Sequence, residues 1–564
     1  MLSKLLQTLR KRLWGHAAID PASTVADSSL LPIGMEARIQ EIRGFIASGQ
    51  LKDAETRCQS ILQAGLNAHA FQLLGYVAQQ TGRYELAVEK CIAANDSGLN
   101  DWSNYLVLGL SLRSLGRHAE AVAALTTAYQ LSPFSIDAAL LLLEETVVVA
   151  GFDSATELYR VMASQITYAT FTRAWKKLSF EKGDVLAPPP DGCVGCDQMT
   201  ARSWARDRGL PVTNVEGVDD IPVESPPVIN ACSVSYKTTI YSNDPYVLEL
   251  KGATIFSKSN IILTSDGVAL DETGAHEHYG QFVSHRSDNA VIGQRGGRLL
   301  IDTNSFEIRT LEVGIMLSGA LSGAFGHWVP EYLPKLQFYE HHPEFRQLPI
   351  IVDEEMPQSH YDYLNCIAKN PLIKIPTNVG FRCVRLIYAP PATFFPAHLF
   401  QNEIPVHEVG PVSPRSYRYL KSRVEATLGT RKPGGGKYFL SRRNMTWRRL
   451  SNDAEVSKYL EAKGYETVQI ESLSFVEQVR MFQNATHIVA SNGSSLQNII
   501  FSDPSVRLLV LSQSNLVNWG AFYAQTGELG YHSRFVCGES IGDPSQKHAD
   551  YFVPLSALEA AVED

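Results

Sequence analysis

Apolar positions in the first third of the chain recur with the period of an α-helix, and glycine interrupts this pattern at regular intervals. Gly49, Gly82, Gly116 and Gly151 each follow an amphipathic stretch, with successive spacings of 33, 34 and 35 residues. Glycine permits the tight turn that joins two packed helices. The pattern therefore predicts repeated helix–glycine–helix units over residues 31–175.

Small residues recur at the same place in each unit. Alanine stands five residues after the glycine in three units, as Ala54, Ala87 and Ala121, and four residues after it in the last, as Ala155. A small side chain there lets neighbouring helices approach closely. In phase and period the units resemble tetratricopeptide repeats. That resemblance implies a concave surface for a protein partner or for self-association. The alternative is a helical platform that only packs on the following module.

A basic amphipathic segment precedes the repeats and occupies residues 1–30. At helical period its leucines fall within one arc of about 100°, and they are Leu2, Leu5, Leu6, Leu9 and Leu13. The basic side chains lie outside that arc and are Lys4, Arg10, Lys11 and Arg12. Such a helix binds an anionic membrane surface or docks on the protein itself. Both interpretations stay open at this point.

Proline and glycine become frequent after Lys182, in the stretch VLAPPPDGCVGCD, and this predicts a linker over residues 176–231. Cys193 and Cys196 form a CxxC pair within it. A tetrahedral zinc site needs four ligands, and the sequence offers no second CxxC or HxxxH at a suitable spacing. A chance pair in a loop is therefore favoured over a metal or redox centre.

The second half of the chain changes from the helical period to strands. Short strand patterns with turns fill residues 232–310. From residue 437 four apolar strand patterns alternate with amphipathic helices, which is typical of right-handed βαβ crossovers and a parallel, Rossmann-like sheet. Two pairs have the spacing of helix N-terminal caps, namely Ser474 with Glu477 and Asn452 with Glu455.

Composition narrows the classes of function. The 564 residues are 45% hydrophobic and 19% charged with a net charge of −9, so the chain has ordinary globular composition and no basic block for nucleic acid. Eight scattered cysteines favour a reducing compartment over a disulfide-stapled fold. No apolar stretch reaches the roughly 18 residues of a membrane span. We therefore expect a cytoplasmic protein, peripheral at the inner face of the membrane if residues 1–30 bind lipid.

Two loops at the carboxyl edge of the predicted parallel sheet suit a phosphate-bearing ligand. At the first, a strand turns into a helix whose first N–H groups attract anions, and the turn consists of Asn492, Gly493, Ser494 and Ser495. At the second, Arg442 or Arg443 ends a strand and Arg449 follows in the loop. The planar fork of arginine makes two charge-assisted hydrogen bonds to a phosphate at once. The two loops together predict an anion site.

The order and spacing of several motifs resemble glycosyltransferase family 61. FGHWVPEYLPKL resembles the family's HW-x-x-E-x-LP-x-L segment, and YFLSRR with RRLSND resembles its Y-I-S-R and R-x-I-x-N pair. LSFVEQ with SNGSSLQNIIF resembles its L-S-F-x-E-Q and H-G-A-G-L-x-N-x-x-F run. The resemblance covers about residues 232–540. It implies a two-lobed α/β GT-B fold, with an acceptor-side lobe at 232–425 and a nucleotide-sugar-side lobe at 426–564.

The resemblance also implies an inverting transfer from a nucleotide sugar, a UDP-sugar being one candidate, without a metal or other cofactor. It carries donor-binding roles over to Arg442, Arg449, Asn452, Asn492, Gly493, Ser494, Ser495 and Asn498. The chain departs from the family at one of these positions, because Asn492 stands where the family usually has histidine. Asparagine does not carry charge. Neutralisation of a leaving diphosphate would then fall to Arg442, Arg449 and helix N–H groups.

His327 and Glu331 are the candidates for catalysis. They lie four residues apart on a helical stretch and so share one face. Either is a candidate for the base that takes the proton of the acceptor hydroxyl, with the other residue orienting it. The structural alternatives are a histidine that packs between the lobes and a glutamate in a helix salt bridge.

The resemblance implies a glycan or lipid-linked glycan acceptor, in capsular or exopolysaccharide assembly. A non-catalytic repeat scaffold with a decayed transferase fold is one alternative, and four retained residues argue against it: Arg442, Arg449, Asn452 and Asn498. A protein O-glycosyltransferase is another, since such enzymes also join repeats to a GT-B fold. That class would differ in lacking the HW-x-x-E-x-LP segment.

Overall fold

The computed structural model describes residues 34–47, 50–65, 67–166, 169–182, 192–215, 219–224, 227–230, 237–275, 283–340, 342–393, 413–513, 527–541 and 549–563. The chain divides into two compact units, Met1–Pro190 and Asp191–Asp564. The predicted basic segment 1–30 lies outside the described residues, as does Gly49. Within the described part, no helix combines the length and the apolar character that a membrane crossing requires.

The described part of the first unit is a run of α-helices. In chain order they are α1 (Met35–Ala47), α2 (Leu51–Ala64), α3 (Ala68–Gln80), α4 (Tyr84–Asp96), α5 (Trp102–Ser114), α6 (His118–Leu131), α7 (Ile136–Ala150), α8 (Phe152–Ala163) and α9 (Ala169–Lys182). The turns between paired helices contain Gly82, Gly116 and Gly151 at φ of 74°, 72° and 82°. That left-handed region favours glycine, so the predicted helix–glycine–helix pattern is confirmed.

Close packing and polar caps hold these helix pairs together. The four repeat alanines are completely buried: Ala54, Ala87, Ala121 and Ala155. A Cβ at Gly109 would overlap the side chain of Leu125 on the next helix, so only glycine fits there. The first helix of three pairs starts with a side-chain cap, in which Asn67, Asp101 and Ser135 accept a backbone N–H. Each such cap stabilises its helix by about 1 kcal/mol.

The second unit is a mixed α/β structure. Its strands are β1 (Cys193–Met199), β2 (Thr213–Asn214), β3 (Asp220–Glu224), β4 (Val228–Ile229), β5 (Lys237–Tyr241), β6 (Tyr246–Phe256), β7 (Ile262–Leu263), β8 (Ala269–Leu270), β9 (Val291–Arg295), β10 (Arg298–Asp302), β11 (Glu307–Met316), β12 (Ile350–Asp353), β13 (Leu372–Ile375), β14 (Val379–Tyr388), β15 (Gly436–Leu440), β16 (Glu466–Val468), β17 (Ala485–Ser491), β18 (Arg507–Gln513), β19 (Ser533–Ser540) and β20 (Tyr551–Phe552). Its helices are α10 (Ala201–Asp207), α11 (Gln358–Ile367), α12 (Pro414–Leu428), α13 (Asp453–Ala462), α14 (Phe475–Asn484) and α15 (Leu555–Glu563), with further helical turns at 325–339 and Ser494–Phe501.

The first sheet has the strand order β13-β12-β11-β14-β6-β7-β8-β1-β10-β9, with β2 beside β6. β13, β12, β11 and β14 are parallel neighbours. Most of the other pairs are antiparallel, and β8 with β1 is parallel. The strand patterns predicted within residues 232–310 are confirmed by β5 to β10.

The predicted linker contributes to both sheets. β1 lies inside the first sheet between β8 and β10, and β4 pairs with β19 of the second sheet. The CxxC pair therefore lies on a strand rather than in a loop. Cys196 is buried in an apolar cluster with Phe256 and Leu299, and burial raises the pKa of its thiol to about 11. A thiol held protonated in this way is a poor metal ligand or nucleophile.

The second sheet has the order β16-β15-β17-β18-β19-β20, with β4 on the far side of β19. β16, β15, β17, β18 and β19 are parallel, which confirms the predicted Rossmann-like sheet and adds β19 to the four predicted strands. Ser474 and Glu477 form the predicted capping box of α14. The similar cap predicted at Asn452 is wrong, because α13 begins there without a side-chain cap.

One hydrophobic core joins the two sheets. The helical turns 325–339 and Ser494–Phe501 meet in it, through residues such as Trp328 and Leu496. Tyr363 on α11 stacks on Phe475 of α14 with ring centroids 4.3 Å apart, and Phe475 meets Phe501 edge-on at 6.0 Å. These contacts fix the loops of the first sheet against the carboxyl edge of the second.

Candidate functional site

A pocket of about 340 Å³ lies where the loops of the first sheet face the carboxyl edge of the second. The first sheet's loops contribute Gly323, Phe325 and His360, and the second contributes Arg442 and Gln478 among others. The pocket stands beyond the end of β15, where open parallel sheets bind their ligands. Its volume falls within the range of small-molecule sites.

Arg442 forms no ion pair in the described part of the chain, although the charge of Glu471, which also lines the pocket, acts on it. Its Nη2 donates to the backbone oxygen of Trp447 at 3.3 Å, and its Nε is buried without a hydrogen-bond partner. Burial lowers the pKa of the guanidinium. The side chain lies directly over Gly493, because a Cβ at that position would overlap Nη1. A desolvated cation with unused donors that lines a pocket is a candidate anion ligand.

Arg448 lies near Arg442 and is likewise a desolvated arginine. Its Nε is also buried without a partner, and burial together with the neighbouring charge of Arg442 lowers its pKa to about 10. The backbone of Arg448 has φ of 53°, in a region that costs a non-glycine residue free energy. Two desolvated like charges held close together by a strained loop are unfavourable without an anion. Sequence reasoning missed Arg448 and named the next residue instead.

The turn after β17 forms the other wall. Asn492 is held in place, since its N–H donates to the oxygen of Leu511 at 2.8 Å and its side-chain amide donates to Ser512 at 3.0 Å. A Cβ placed on Gly326 would lie 3.1 Å from the Cβ of Ser494, so the helical turns 325–339 contact this turn closely. Ser494 and Ser495 line the pocket. The structure therefore brings Arg442, Gly493, Ser494 and Ser495 together.

Three other residues predicted to bind the donor have structural partners. Arg449 is exposed, and its Nη2 pairs with Asp550 at 2.7 Å. Asn452 binds the backbone of Val553 through both ends of its amide, at 2.8 and 3.3 Å. Asn498 is fully buried and donates to Gln478 at 2.8 Å. The predicted placement of Arg449 and Asn452 in the site is thus not what the structure shows, while Asn498 supports Gln478 behind the pocket wall.

Gly493→Ala is expected to weaken anion binding at least about tenfold, which is the loss of one charge-assisted hydrogen bond. The added Cβ occupies the place of the Arg442 guanidinium, and the backbone at φ of −169° accepts alanine without strain. Titration calorimetry with a nucleoside diphosphate measures the effect. Gly323→Ala is the matched control, because a Cβ there meets nothing closer than 4.0 Å in the same pocket. Equal affinities of the two variants would contradict this geometry.

His327 and Glu331 form the pair that their spacing predicts. His327 Nδ1 lies 2.7 Å from Glu331 Oε1, and their side chains are 20% and 6% exposed. A neutral imidazole that donates through Nδ1 carries no proton on Nε2, which is the basic nitrogen of the ring. The wide helical turn Trp328–Tyr332 carries Glu331, and the segment before it contacts the Ser494 turn. His327 directly follows Gly326 and comes two residues after Phe325, which lines the pocket.

A buried histidine that sequence reasoning missed also lines the pocket. His360 Nδ1 donates to the backbone oxygen of Ser322 at 3.0 Å, and its ring stacks on Trp328 at 5.7 Å. Burial lowers the pKa of His360 to about 4, so it is neutral near pH 7. Asp353, at the end of β12, accepts from Gly319 N–H and Ser322 Oγ at 2.9 and 2.6 Å. This carboxylate fixes the loop that carries the wall of the pocket.

Glu331 also borders a small buried polar cavity of about 20 Å³ in the first sheet. Lys335, one turn further along, and Glu272 border it as well. Burial lowers the pKa of Lys335 to about 8 and raises that of Glu272. The charge of Glu331 acts on Lys335 in the opposite sense to burial and raises the pKa of that ammonium.

Comparison with known proteins bears on two parts of the chain. Residues 325–509, which contain His327, Arg442, Arg448 and the Gly493 turn, match the model of the family Glycosyltransferase 61. Residues 103–135, which contain most of α5 and all of α6, match a tetratricopeptide repeat model. A search of curated proteins finds no match.

Among solved structures, the helical unit is similar to tetratricopeptide repeat proteins. MamA from Desulfovibrio magneticus RS-1 is 20% identical, with 29% of this chain and 84% of that chain covered and a TM-score of 0.22. YrrB, described as a TPR protein with an unusual peptide-binding site, is 17% identical. The match covers 25% of this chain and 74% of that chain, with a TM-score of 0.23. PilF of Pseudomonas aeruginosa is 21% identical. The match covers 26% of this chain and 67% of that chain, with a TM-score of 0.24. At these TM-scores the likenesses carry no further argument. The chain thus carries a glycosyltransferase family 61 segment behind helical repeats of the tetratricopeptide type.

Proposed function

We propose that this protein transfers a sugar from a nucleotide-sugar donor to a glycan acceptor, with inversion, in a cleft of the GT-B type between its two sheets. The observation that carries the proposal is the pair Arg442 and Arg448. Both guanidinium groups are desolvated, and neither forms an ion pair among the described residues, the nearby charge of Glu471 acting on Arg442 only without contact. The family match over residues 325–509 supports the same reaction class.

The donor's diphosphate is the anion that suits this pair. Two arginines provide several charge-assisted hydrogen bonds in fixed geometry. As the bond between the sugar and the diphosphate breaks, its electron pair passes to the leaving phosphate oxygen, where negative charge develops. Cations that are already in place and already desolvated stabilise that charge without reorganisation. The 340 Å³ pocket beside Arg442 then accommodates part of the donor.

The acceptor side is assigned to His327 and Glu331. The acceptor hydroxyl oxygen attacks the anomeric carbon from the face opposite the leaving group, which inverts the configuration. Its proton passes to Nε2 of His327. Glu331 Oε1 accepts the hydrogen bond from Nδ1–H, with the two atoms 2.7 Å apart, and stabilises the imidazolium that forms. His327 is thus the base, and Glu331 is its positioning residue.

Turnover is expected to survive treatment with EDTA. The reason is that Arg442 and Arg448 already supply positive charge to stabilise the leaving diphosphate, which is what a divalent cation does in other enzymes. The measurement is the initial rate of nucleoside diphosphate release before and after chelation. Activity that disappears on chelation and returns with Mn²⁺ or Mg²⁺ would contradict the assignment.

The acceptor is proposed to be a growing or lipid-linked glycan of capsular or exopolysaccharide assembly. The basic segment 1–30 would hold the enzyme at an anionic membrane surface where such acceptors reside. The helical repeats would bind a protein partner or a second copy of the chain. These assignments rest on the family resemblance and on the sequence of the segment.

A ligand screen tests the proposed function. Purified full-length protein is heated with nucleoside diphosphates and nucleotide sugars, since a ligand that binds only the folded state raises the melting temperature. We expect one nucleotide class to stabilise the protein by about 2.7 kcal/mol at one hundred times its Kd. If no nucleotide or nucleotide sugar stabilises the protein, the donor site is not where we place it.

A further inference from the structure

The second sheet carries a row of cations at the edge opposite the candidate site. Lys437 pairs with His487 across β15 and β17, and His487 pairs with Arg507 across β17 and β18. Leu508 pairs with Ser533, so the register continues the row to His532. Paired residues of parallel strands lie on the same face of a sheet. We call Lys437, His487, Arg507, His532 and the adjacent Arg534 the cationic row.

The charges of the cationic row are only partly compensated, since Arg534 donates to the backbone oxygen of Ala561 at 3.4 Å. Among the described residues, no ion pair or side-chain hydrogen bond involves Lys437, Arg507 or His532. Burial together with the charges of Lys437 and Arg507 lowers the pKa of His487. Lys437 and Arg507 stand on the two strands on either side of His487, and their like charges repel each other across it. The arrangement therefore costs free energy in the absence of a ligand and would be relieved by an anion.

A cavity of about 300 Å³ opens in front of the cationic row. His487, Arg507, His532 and Arg534 line it, and the ring of Tyr465 forms one wall. Lys437 Nζ lies 5.6 Å from the centre of that ring, and the ring meets His487 edge-on at 6.3 Å. The cations thus converge on one concave space instead of spreading over a solvated face.

The cationic row is separate from the candidate site. It lies at the amino ends of the parallel strands, whereas Arg442 and the Gly493 turn lie at the carboxyl ends. β17 runs from one edge to the other through seven residues, a distance of about 20 Å. A diphosphate bound at Arg442 and Arg448 does not reach so far.

We propose that the cationic row is a second anion site, which binds a phosphate-bearing ligand. A phosphate or pyrophosphate group has the charge and acceptor oxygens to meet several of these cations at once. The same chemistry is offered by a soluble phosphate compound and by a phospholipid headgroup. Both sources satisfy the site, and the experiment separates them.

Inorganic pyrophosphate is the probe, titrated calorimetrically at low salt into full-length protein that carries Arg442→Ala and Arg448→Ala. Adding Lys437→Ala and Arg507→Ala to this protein is expected to weaken pyrophosphate binding by about 100-fold or more, from two lost charged contacts. Arg382→Ala is the control, because Arg382 is an exposed cation of the other sheet. The row variant should fold, because among the described residues Lys437 and Arg507 take part in no ion pair or side-chain hydrogen bond and Lys437 only lies over the Tyr465 ring. Without anion its melting temperature should stay close to that of the parent protein.

Vesicles of phosphatidylglycerol identify the source when Lys4, Arg10, Lys11 and Arg12 are replaced by alanine in both proteins, so that the proposed membrane segment 1–30 does not hide the effect. If the Lys437→Ala, Arg507→Ala variant loses sedimentation with these vesicles while vesicles of phosphatidylcholine bind neither protein, the headgroup is the ligand. If only pyrophosphate binding falls, the ligand is soluble. An independent readout is the pKa of His487 by NMR, which pyrophosphate should raise by neutralising Lys437 and Arg507. Pyrophosphate and vesicle binding equal to that of the Arg382→Ala control, with His487 unmoved, would overturn the proposal.

Discussion

Arg448→Ala is expected to weaken binding of a nucleoside diphosphate by about 10- to 100-fold, since a hydrogen bond to a charged group contributes about 1.5 to 3 kcal/mol. The Arg448 guanidinium is buried next to Arg442 with its Nε unsatisfied. Because no folded-state partner is lost, the melting temperature should hold or rise. Titration calorimetry gives the affinity, and a thermal melt gives the stability.

Arg449→Ala is the matched control for this experiment. It removes the same side chain from the neighbouring position, but Arg449 is tied to Asp550 at 2.7 Å and lies at the surface. Its diphosphate affinity should stay within twofold of the parent protein, about the scale of an exposed ion pair. A loss of affinity in Arg449→Ala with none in Arg448→Ala would reverse our assignment.

His327→Gln is expected to lower kcat by about 100- to 10,000-fold, which is the usual contribution of a general base. Glutamine keeps a hydrogen-bonding side chain of similar reach but does not take a proton. Donor affinity should be unchanged, because the diphosphate is held on the other wall by Arg442 and Arg448. Steady-state rates with a soluble acceptor, together with donor titration, separate the two effects.

The same lobe provides a control for His327. His342 also pairs with a glutamate, with Nδ1 3.1 Å from Oε1 of Glu344, but Glu344 is exposed. His342→Gln should leave kcat intact. Glu331→Gln should lower kcat, because the imidazolium that forms on His327 loses the carboxylate that contacts it. If His327→Gln retains full turnover, the base lies elsewhere in the cleft.

Local patterns predicted the elements that depend on neighbouring residues. The turns at Gly82 and Gly116, the strands β15 to β18 and the capping box of Ser474 follow from spacing alone. The contact between His327 and Glu331 follows from helical geometry. The prediction of a linker was wrong, because β1 depends on distant residues. Its partners β8 and β10 lie about 70 and 100 residues further along the chain.

The site was predicted only in part, because side-chain direction after β15 depends on a loop conformation. Arg448 and Arg449 are equivalent in sequence, and the positive φ of Arg448 decides which one is buried. His360 carries no spacing signal. Its role depends on Asp353 and Ser322, which come together only in the folded loop. The sequence feature that could have identified Asp353 is its position at the end of the buried strand β12.

The most direct test of sugar transfer is release of nucleoside diphosphate from a nucleotide sugar in the presence of an acceptor glycan. The full-length protein is compared with the Arg442→Ala, Arg448→Ala variant and with Arg449→Ala. We expect acceptor-dependent release by the parent protein and by Arg449→Ala, and a loss of at least about 100-fold in the double variant. Equal rates in all three proteins, or no acceptor-dependent release by the parent with the donor that stabilises it, would contradict the account.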